Sequence, residues 1–229
     1  MLTTRDLRYA FHALSTENGS EGAAQLCLFY FSGLRVVRKA YEDGAWICRQ
    51  KGGGLVKVNP AAIARGARRL SWLYEPASPP VLLPKMGGAR THIAANFVGV
   101  PFNTYLQFEN IRQGLLQNPT PGAAQALARL AYPRMISEYQ PDQDEEFALF
   151  FWANSVSLYL ANLFPNLFKP APAGAAPDPR GVMNAQIRML TKGDVTKTLS
   201  VLDTETHTAL AELDARAREI EQQQKALKK

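Results

Sequence analysis

Eighteen consecutive residues in the second half of the chain, Phe147 to Phe164, carry no charge. Asp142 and Glu145 precede this run with the spacing of a capping box, in which each side chain accepts a hydrogen bond from the other residue's backbone N–H. Pro165 ends the run, because proline has no N–H with which to continue a helix. A helix that is apolar on almost every side needs neighbours on almost every side. The sequence therefore predicts a central core helix here.

A membrane span is the alternative for this run, since about eighteen apolar residues make the shortest helix that crosses a bilayer. Two Asn and two Ser lie inside the run, and polar side chains are costly in lipid. Residues 1–11 interleave charged and apolar side chains, which argues against a secretory signal. The two cysteines, Cys27 and Cys48, are too few for a disulfide framework. We therefore expect a cytoplasmic protein with two buried thiols.

The remaining patterns predict a mainly α fold, a helical bundle around the central helix, with one short β-hairpin and a proline-tethered C-terminal helical appendage. Residues 1–164 are expected to form a helical core domain, with the hairpin at about 45–58. Residues 165–182 contain five prolines and are expected to form a Pro/Ala-rich linker. Residues 183–229 then form the C-terminal helical appendage.

The hairpin is predicted from alternating side chains on both sides of three glycines. Residues 46–50 and 55–58 each alternate, and Gly52 to Gly54 permit a tight reversal between them. Glycines after a lysine also suit a phosphate-binding loop. However, the pattern G-x-x-x-x-G-K-[ST] is absent, and a strand follows where that loop needs a helix. The turn interpretation is therefore the better one.

Helices are predicted on both sides of the hairpin. Ser20 is a suitable N-cap for a long helix over residues 20–43. Asn59 and Pro60 are a cap followed by a first-turn proline, which is a strong helix start. In the helix that follows, apolar residues occupy one face and arginines the opposite face, up to a stop at residues 75–76.

Positive charge is concentrated in the first third of the chain. The net charge is +6, and residues 1–75 contain eleven Lys/Arg against six Asp/Glu. Cationic side chains neutralise phosphates, and an exposed Trp stacks on bases. The candidate nucleic-acid contacts, on the hairpin and on the arginine face of the next helix, are Arg49, Lys51, Lys57, Arg65, Arg68, Arg69 and Trp72. The alternative is a solvated face whose Trp packs against a loop, and no helix-turn-helix or zinc-finger pattern favours nucleic acid.

The last helix carries a short heptad seam that predicts docking. Its a and d positions are Leu210, Leu213, Ala217, Ile220 and Leu227, with Gln224 as the exception. A helix whose only apolar surface is such a stripe usually packs that stripe against another protein surface. Three alternatives are open: its own core, a second copy of the chain, or another protein.

Catalytic motifs are absent from the sequence. His12, His92 and His207 lie far apart, and none has a companion at the spacing of metal ligands. A divalent cation would suit the acids at positions 142 and 144–146, but their role at the start of the central helix explains them. The patterns G-x-S-x-G, G-x-G-x-x-G and C-x-x-C do not occur. We therefore predict a non-enzymatic protein with no metal and no cofactor.

A family resemblance lies mainly in the C-terminal segment MNAQIRMLTKGDVTKTLSVLDTETHTALAELDARAREIEQQ, residues 183–223. This segment resembles the C-terminal segments of uncharacterised proteins encoded in tailed-phage and prophage structural gene clusters. In those proteins a Gly-Asp-Val/Ile-Thr-Lys turn precedes an Ala-Leu-x-Glu-Leu helix. The segments YLQFENIRQGLL (105–116) and ARRLSWLYEPASPPVLLPKM (67–86) are similar as well, so the resemblance covers about half of the chain in patches. It implies a part in virion morphogenesis, as a tail-assembly chaperone or a neck or tail component.

The function expected from these observations is that of a non-enzymatic phage or prophage assembly or structural protein. It would act through contacts with phage structural proteins or with its own copies, in the cytoplasm of the bacterial host or in the virion. The alternative is a basic nucleic-acid-binding accessory protein.

Overall fold

The computed structural model describes residues 6, 9–10, 13, 20–39, 44–71, 79–83, 86, 89, 91–117, 121–136, 138–169 and 179–227. The chain divides into two compact units, Met1–Pro80 and Val81–Lys229. Within the described residues the fold is mainly helical, with eight helices and one three-stranded antiparallel sheet near the N-terminus. The predicted mainly α class is confirmed, and the sheet is larger than the single hairpin that we expected.

Secondary structure follows the chain in a simple order. The first unit contains α1 (Ser20–Phe31), β1 (Leu34–Lys39), β2 (Trp46–Gln50), β3 (Leu55–Val58) and α2 (Pro60–Arg68). The second unit contains α3 (Phe102–Gln117), α4 (Pro121–Ala131), α5 (Gln143–Leu163), α6 (Pro179–Thr191), a 3-10 turn (Val195–Lys197), α7 (Thr198–Asp203) and α8 (Thr206–Leu227).

The long helix predicted over residues 20–43 is wrong in its second half. Helix α1 ends at Phe31, and the chain reverses at Gly33, whose φ of +67° is strained for any residue with a side chain. Strand β1 follows, with the β-branched pair Val36 and Val37 in its middle. The end of the predicted helix, residues 40–43, lies outside the described residues.

The predicted hairpin is confirmed. Strands β2 and β3 pair antiparallel, and the N–H of Gly53 donates to the carbonyl oxygen of Gln50 at 3.0 Å in the turn between them. Gly52 and Gly53 have φ values of 121° and 105°, which explains the need for glycine there. Strand β1 adds to the free edge of β2, so the strand order is β1-β2-β3.

Helix α2 begins as its sequence predicts and ends earlier. The Asn59 side chain accepts a hydrogen bond from the N–H of Ala62 at 2.7 Å. Ile63 and Ala67 form the buried face, and the helix ends at Arg68 instead of reaching residues 75–76, which lie outside the described residues.

The core of the second unit is built on α5. The predicted capping box is present: Asp142 Oδ1 accepts from the N–H of Glu145 at 2.9 Å, and Glu145 Oε2 accepts from the N–H of Asp142 at 3.1 Å. The buried side of the helix includes Trp152, whose indole N–H donates to the carbonyl oxygen of Ala95 at 2.8 Å. Phe147, Leu158 and Leu163 are exposed, with Leu163 on a different side of the helix from the other two, whereas we predicted neighbours on almost every side. None of the described helices is long and apolar enough to cross a membrane.

The C-terminal segment belongs to the second unit. The N–H of Phe102 donates to the carbonyl oxygen of Thr204, and the N–H of Thr206 donates to that of Val100, both at 2.8 Å. The start of the predicted linker is ordered as well, since Leu167 packs against the core. This grouping differs from the predicted division into residues 1–164, 165–182 and 183–229. Residues 170–178 of the linker lie outside the described residues.

Candidate binding surfaces

The three-stranded sheet of the first unit has one buried face. Cys48 of β2 forms a buried cluster with Phe29 of α1 and Ile63 of α2. Trp46 and Val58 alternate onto the same face and are partly buried against this cluster. Helices α1 and α2 therefore cover the face of the sheet that carries Cys48, which we term the inner face.

The opposite, outer face of the sheet carries four cations. Arg49 of β2 alternates away from Cys48, and its partner on β1 is Arg35. Ile47 also faces outward, and its partners are Arg38 on β1 and Lys57 on β3. The side chains of all four cationic residues are exposed. We term the set Arg35, Arg38, Arg49 and Lys57 the cationic sheet face.

A β-bulge in β1 places Arg38 on this face. The register shifts between Val36 and Arg38, so that Val37 is an extra residue opposite β2. With strict alternation, Arg38 would share the inner face with Val36. Because of the extra residue, the side chain of Arg38 points to the outer face instead. Val37 itself is 51% exposed.

The candidate nucleic-acid contacts do not form one surface. Arg65, Arg68 and Arg69 are exposed on the side of α2 opposite Ile63, which packs against the inner face of the sheet. These arginines therefore point away from the cationic sheet face. Lys51 lies in the hairpin turn and is exposed. Trp72 lies outside the described residues.

Arg35 and Arg38 are the residues that the sequence interpretation missed. Both lie in the part of β1 that we predicted as helix. The available signal was the adjacent pair Val36 and Val37, because β-branched residues favour strands. A second signal was charge, since β1, β2, β3 and α2 contain no Asp or Glu.

The predicted docking seam of α8 is divided between core and surface. Leu210 and Leu213 are fully buried in the core of the second unit, so of the three alternatives their own core is the occupant. Ala217 is partly buried, whereas Ile220 and Leu227 are 43% and 87% exposed. An external partner can therefore meet only the C-terminal part of this seam.

A groove of about 350 Å³ adjoins that exposed part, between α6 and α8. Its lining contains the apolar side chains Met189 and Ile220 together with charges of both signs. The charged lining residues are Lys192, Glu212, Arg216 and Glu219. The guanidinium of Arg216 donates to the carbonyl oxygen of Met189 and so connects the two helices across the groove.

The two described histidines and the buried acid Glu145 have structural partners. A ring nitrogen of His207 donates to the carbonyl oxygen of Asn96 at 2.7 Å, and one of His92 donates to that of Ile93 at 2.6 Å. The carboxylate of Glu145 accepts from the Tyr139 hydroxyl at 2.6 Å. His12 lies outside the described residues. In the described part of the chain, no group of three or more His, Cys, Asp or Glu is placed to hold a metal ion.

Both cysteines are free and buried, as predicted. Burial raises the pKa of the Cys27 thiol to about 11 and also raises the pKa of Cys48. A thiol with a raised pKa is protonated at neutral pH and is a poor nucleophile. No protein-family model, curated protein or solved structure matches this chain.

Proposed function

We propose that this protein is a non-enzymatic component of tailed-phage or prophage virion assembly, as a tail-assembly chaperone or a neck or tail component, and that it works by holding another protein. The resemblance of residues 183–223 supports this proposal, because that segment forms α7, most of α8 and most of α6. The observation that carries it is the exposed apolar end of α8 at Ile220 and Leu227.

Helix α8 is anchored along its first half and open along its second half. Leu210 and Leu213 are buried, and Asp214 accepts a hydrogen bond from the N–H of Asn166 at 2.7 Å. The exposed end thus belongs to a helix that is already ordered, so binding there loses little conformational entropy. Burying apolar surface contributes about 25 cal/mol per Å², which favours a partner that covers Ile220 and Leu227.

The occupant that we propose is an amphipathic helix of a virion protein, lying in the groove between α6 and α8. Met189 and Ile220 would meet its apolar stripe. The cations Lys192 and Arg216 and the acid Glu219 would meet charges of the opposite sign on its flanks. A second copy of this chain is the competing occupant.

The test is co-expression of the full chain with the virion proteins encoded by neighbouring genes, followed by size-exclusion chromatography. We expect a complex with one of these proteins. The double variant Ile220→Glu, Leu227→Glu should lose it, because each substitution buries a carboxylate in an apolar contact. The control is Gln222→Glu, which adds one negative charge on the opposite side of the helix from Ile220.

Three outcomes would contradict this proposal. The complex could survive in the double variant, or Gln222→Glu could disrupt it equally. The chain alone could instead form a stable oligomer that the double variant dissociates, which would make its own copy the occupant. Far-UV circular dichroism of each variant establishes that a lost complex is not a lost fold.

A further inference from the structure

We propose that the cationic sheet face, Arg35, Arg38, Arg49 and Lys57, binds the phosphate backbone of nucleic acid without reading its sequence. This surface lies in the first unit, whereas the α8 surface lies in the second. Compared with the candidate contacts predicted from the sequence, this proposal keeps only those on the outer face of the sheet. It adds Arg35 and Arg38 from β1.

The pairing of the strands fixes the spacing of these cations. Arg35 and Arg49 are direct cross-strand partners, so their Cβ atoms lie about 5 Å apart. Arg38 and Lys57 form the next row, on either side of Ile47. Successive outward rows of a sheet are separated by about 7 Å along the strands. The four charges therefore form a compact array whose backbone positions are held by ladder hydrogen bonds.

The three strands that carry this array contain no Asp or Glu in their sequences. Residues 20–71 contain nine Lys/Arg against three Asp/Glu. Arginine is suited to phosphate because its planar guanidinium donates two parallel hydrogen bonds to the phosphate oxygens. Three of the four cations are arginines.

The side chains on this face favour phosphate contact over base contact. Its other members on β2 and β3, Ile47 and Leu55, are aliphatic, so the described strand residues of the outer face include no aromatic ring on which a base would stack. Phosphate contacts set position and affinity but carry no sequence information. Duplex DNA presents one charge per about 1.7 Å of its axis, so several cations on paired strands meet several phosphates at once. An acidic peptide would first have to be ordered, at a cost in conformational entropy.

The number of cations predicts how steeply the affinity for DNA falls as the salt concentration rises. Four neutralised phosphates give a log–log slope of about −3.6 for duplex DNA. Affinity should then fall about 150-fold when salt rises from about 50 to about 200 mM. Two remaining cations would give a slope of about −1.8 and a fall of about 12-fold over the same range.

The experiment is a fluorescence polarisation titration of the full chain with two labelled DNA duplexes of unrelated sequence. We expect both duplexes to bind equally, with the slope above. Arg35→Gln with Arg49→Gln should halve the slope and weaken binding at low salt. The matched control is Arg65→Gln with Arg68→Gln, which removes the same charge from the exposed side of α2 and should leave the slope unchanged.

Several results would overturn this inference. One is the absence of binding at low salt, and another is an equal loss in the two double variants, which would indicate a diffuse effect of net charge. A clear preference for one duplex would contradict binding without sequence readout. Tighter binding to vesicles of phosphatidylserine and phosphatidylcholine, lost in Arg35→Gln with Arg49→Gln, would identify a lipid surface as the ligand. Circular dichroism of both double variants checks that the sheet is retained.

Discussion

The carboxylate of Asp214, in the middle of α8, accepts hydrogen bonds from both the backbone N–H and the side-chain amide of Asn166, at 2.7 and 2.9 Å. Asn166 lies in the turn that follows α5, and the N–H of the next residue, Leu167, donates to the same carboxylate at 3.0 Å. One side chain thus satisfies two backbone donors at the end of the central helix. These contacts attach α8 to the second unit, and of its heptad seam only the last turns, with Ile220 and Leu227, are exposed.

Replacing Asp214 by Asn should destabilise the second unit. The amide group of Asn offers one acceptor oxygen where the carboxylate offers two, and its NH2 would face N–H donors. We expect a loss of about 1–3 kcal/mol in the free energy of unfolding. Urea denaturation followed by far-UV circular dichroism measures it. Asp203→Asn, at an exposed position at the end of α7, removes the same charge as a control, and equal midpoints for the two variants would refute the assignment.

Acid should weaken the attachment of α8 between about pH 4 and pH 2. The hydrogen bond from Lys169, then that from Lys225, lowers the pKa of Glu221 to about 2. Burial raises the pKa of Asp214, but the hydrogen bonds from Asn166 and Leu167 outweigh it and the net shift is downward. A carboxyl whose pKa is lowered by folding stabilises the fold above its ordinary pKa of about 4. That contribution disappears as pH falls through the folded value.

A carboxyl titration followed by NMR checks the prediction for Glu221. In the variant Lys169→Gln, the pKa of Glu221 should rise from about 2 towards its ordinary value. The reason is that Lys169 lowers this pKa more than the other cationic partner, Lys225, does. Lys197→Gln is the matched control, since Lys197 pairs with Asp194 at 3.3 Å and not with Glu221. An unchanged pKa in Lys169→Gln would show that the ion pair does not persist in solution.

Local signals in the sequence were sufficient for helix starts and for the hairpin. Asp142 with Glu145, and Asn59 with Ala62, are partners only three residues apart, so their spacing is visible in the sequence. The prediction for β1 was wrong because Leu34 and Val37 have helical spacing. The pairing that makes this segment a strand involves residues of β2. Its bulge at Val37 also disrupts the alternation by which a strand is recognised.

Contacts between distant residues hold the segment before α3, whose sequence has no clear helical or strand periodicity. The N–H of Gly99 donates to Glu205 at 3.0 Å, and His207 donates to Asn96, more than one hundred residues away in each case. The same difference between local and long-range contacts decided which residues of the cationic sheet face could be predicted. Arg49 was identified because it lies in a local hairpin, whereas Arg35 reaches the same face only through long-range strand pairing.

Phe97 should be among the most sensitive positions in the second unit. Its ring is fully buried and lies 5.1 Å from that of Phe108 and 6.0 Å from that of Trp152, measured between centroids. Its backbone has a φ of 64°, a conformation that a bulky residue adopts only when packing enforces it. Phe97→Ala should cost about 3–5 kcal/mol of unfolding free energy. Val98→Ala, at the exposed neighbouring position, is the control, and a similar small loss in both variants would contradict this packing.

Gly66 should tolerate no large side chain, because α1 and α2 approach each other closely there. A Cβ atom at Gly66 would lie 2.6 Å from a Cδ atom of Leu28, whereas one at Gly114 in α3 would meet nothing within 4 Å. Gly66→Leu should therefore destabilise the first unit by about 1–3 kcal/mol through overpacking. Gly114→Leu should stabilise the second unit by about 0.5–1 kcal/mol, because leucine favours a helix more than glycine does. Thermal unfolding of both variants gives the comparison. A gain in Gly66→Leu equal to that in Gly114→Leu would mean that the two helices lie further apart than the structure places them, whereas adding Leu28→Ala to Gly66→Leu should recover part of the loss.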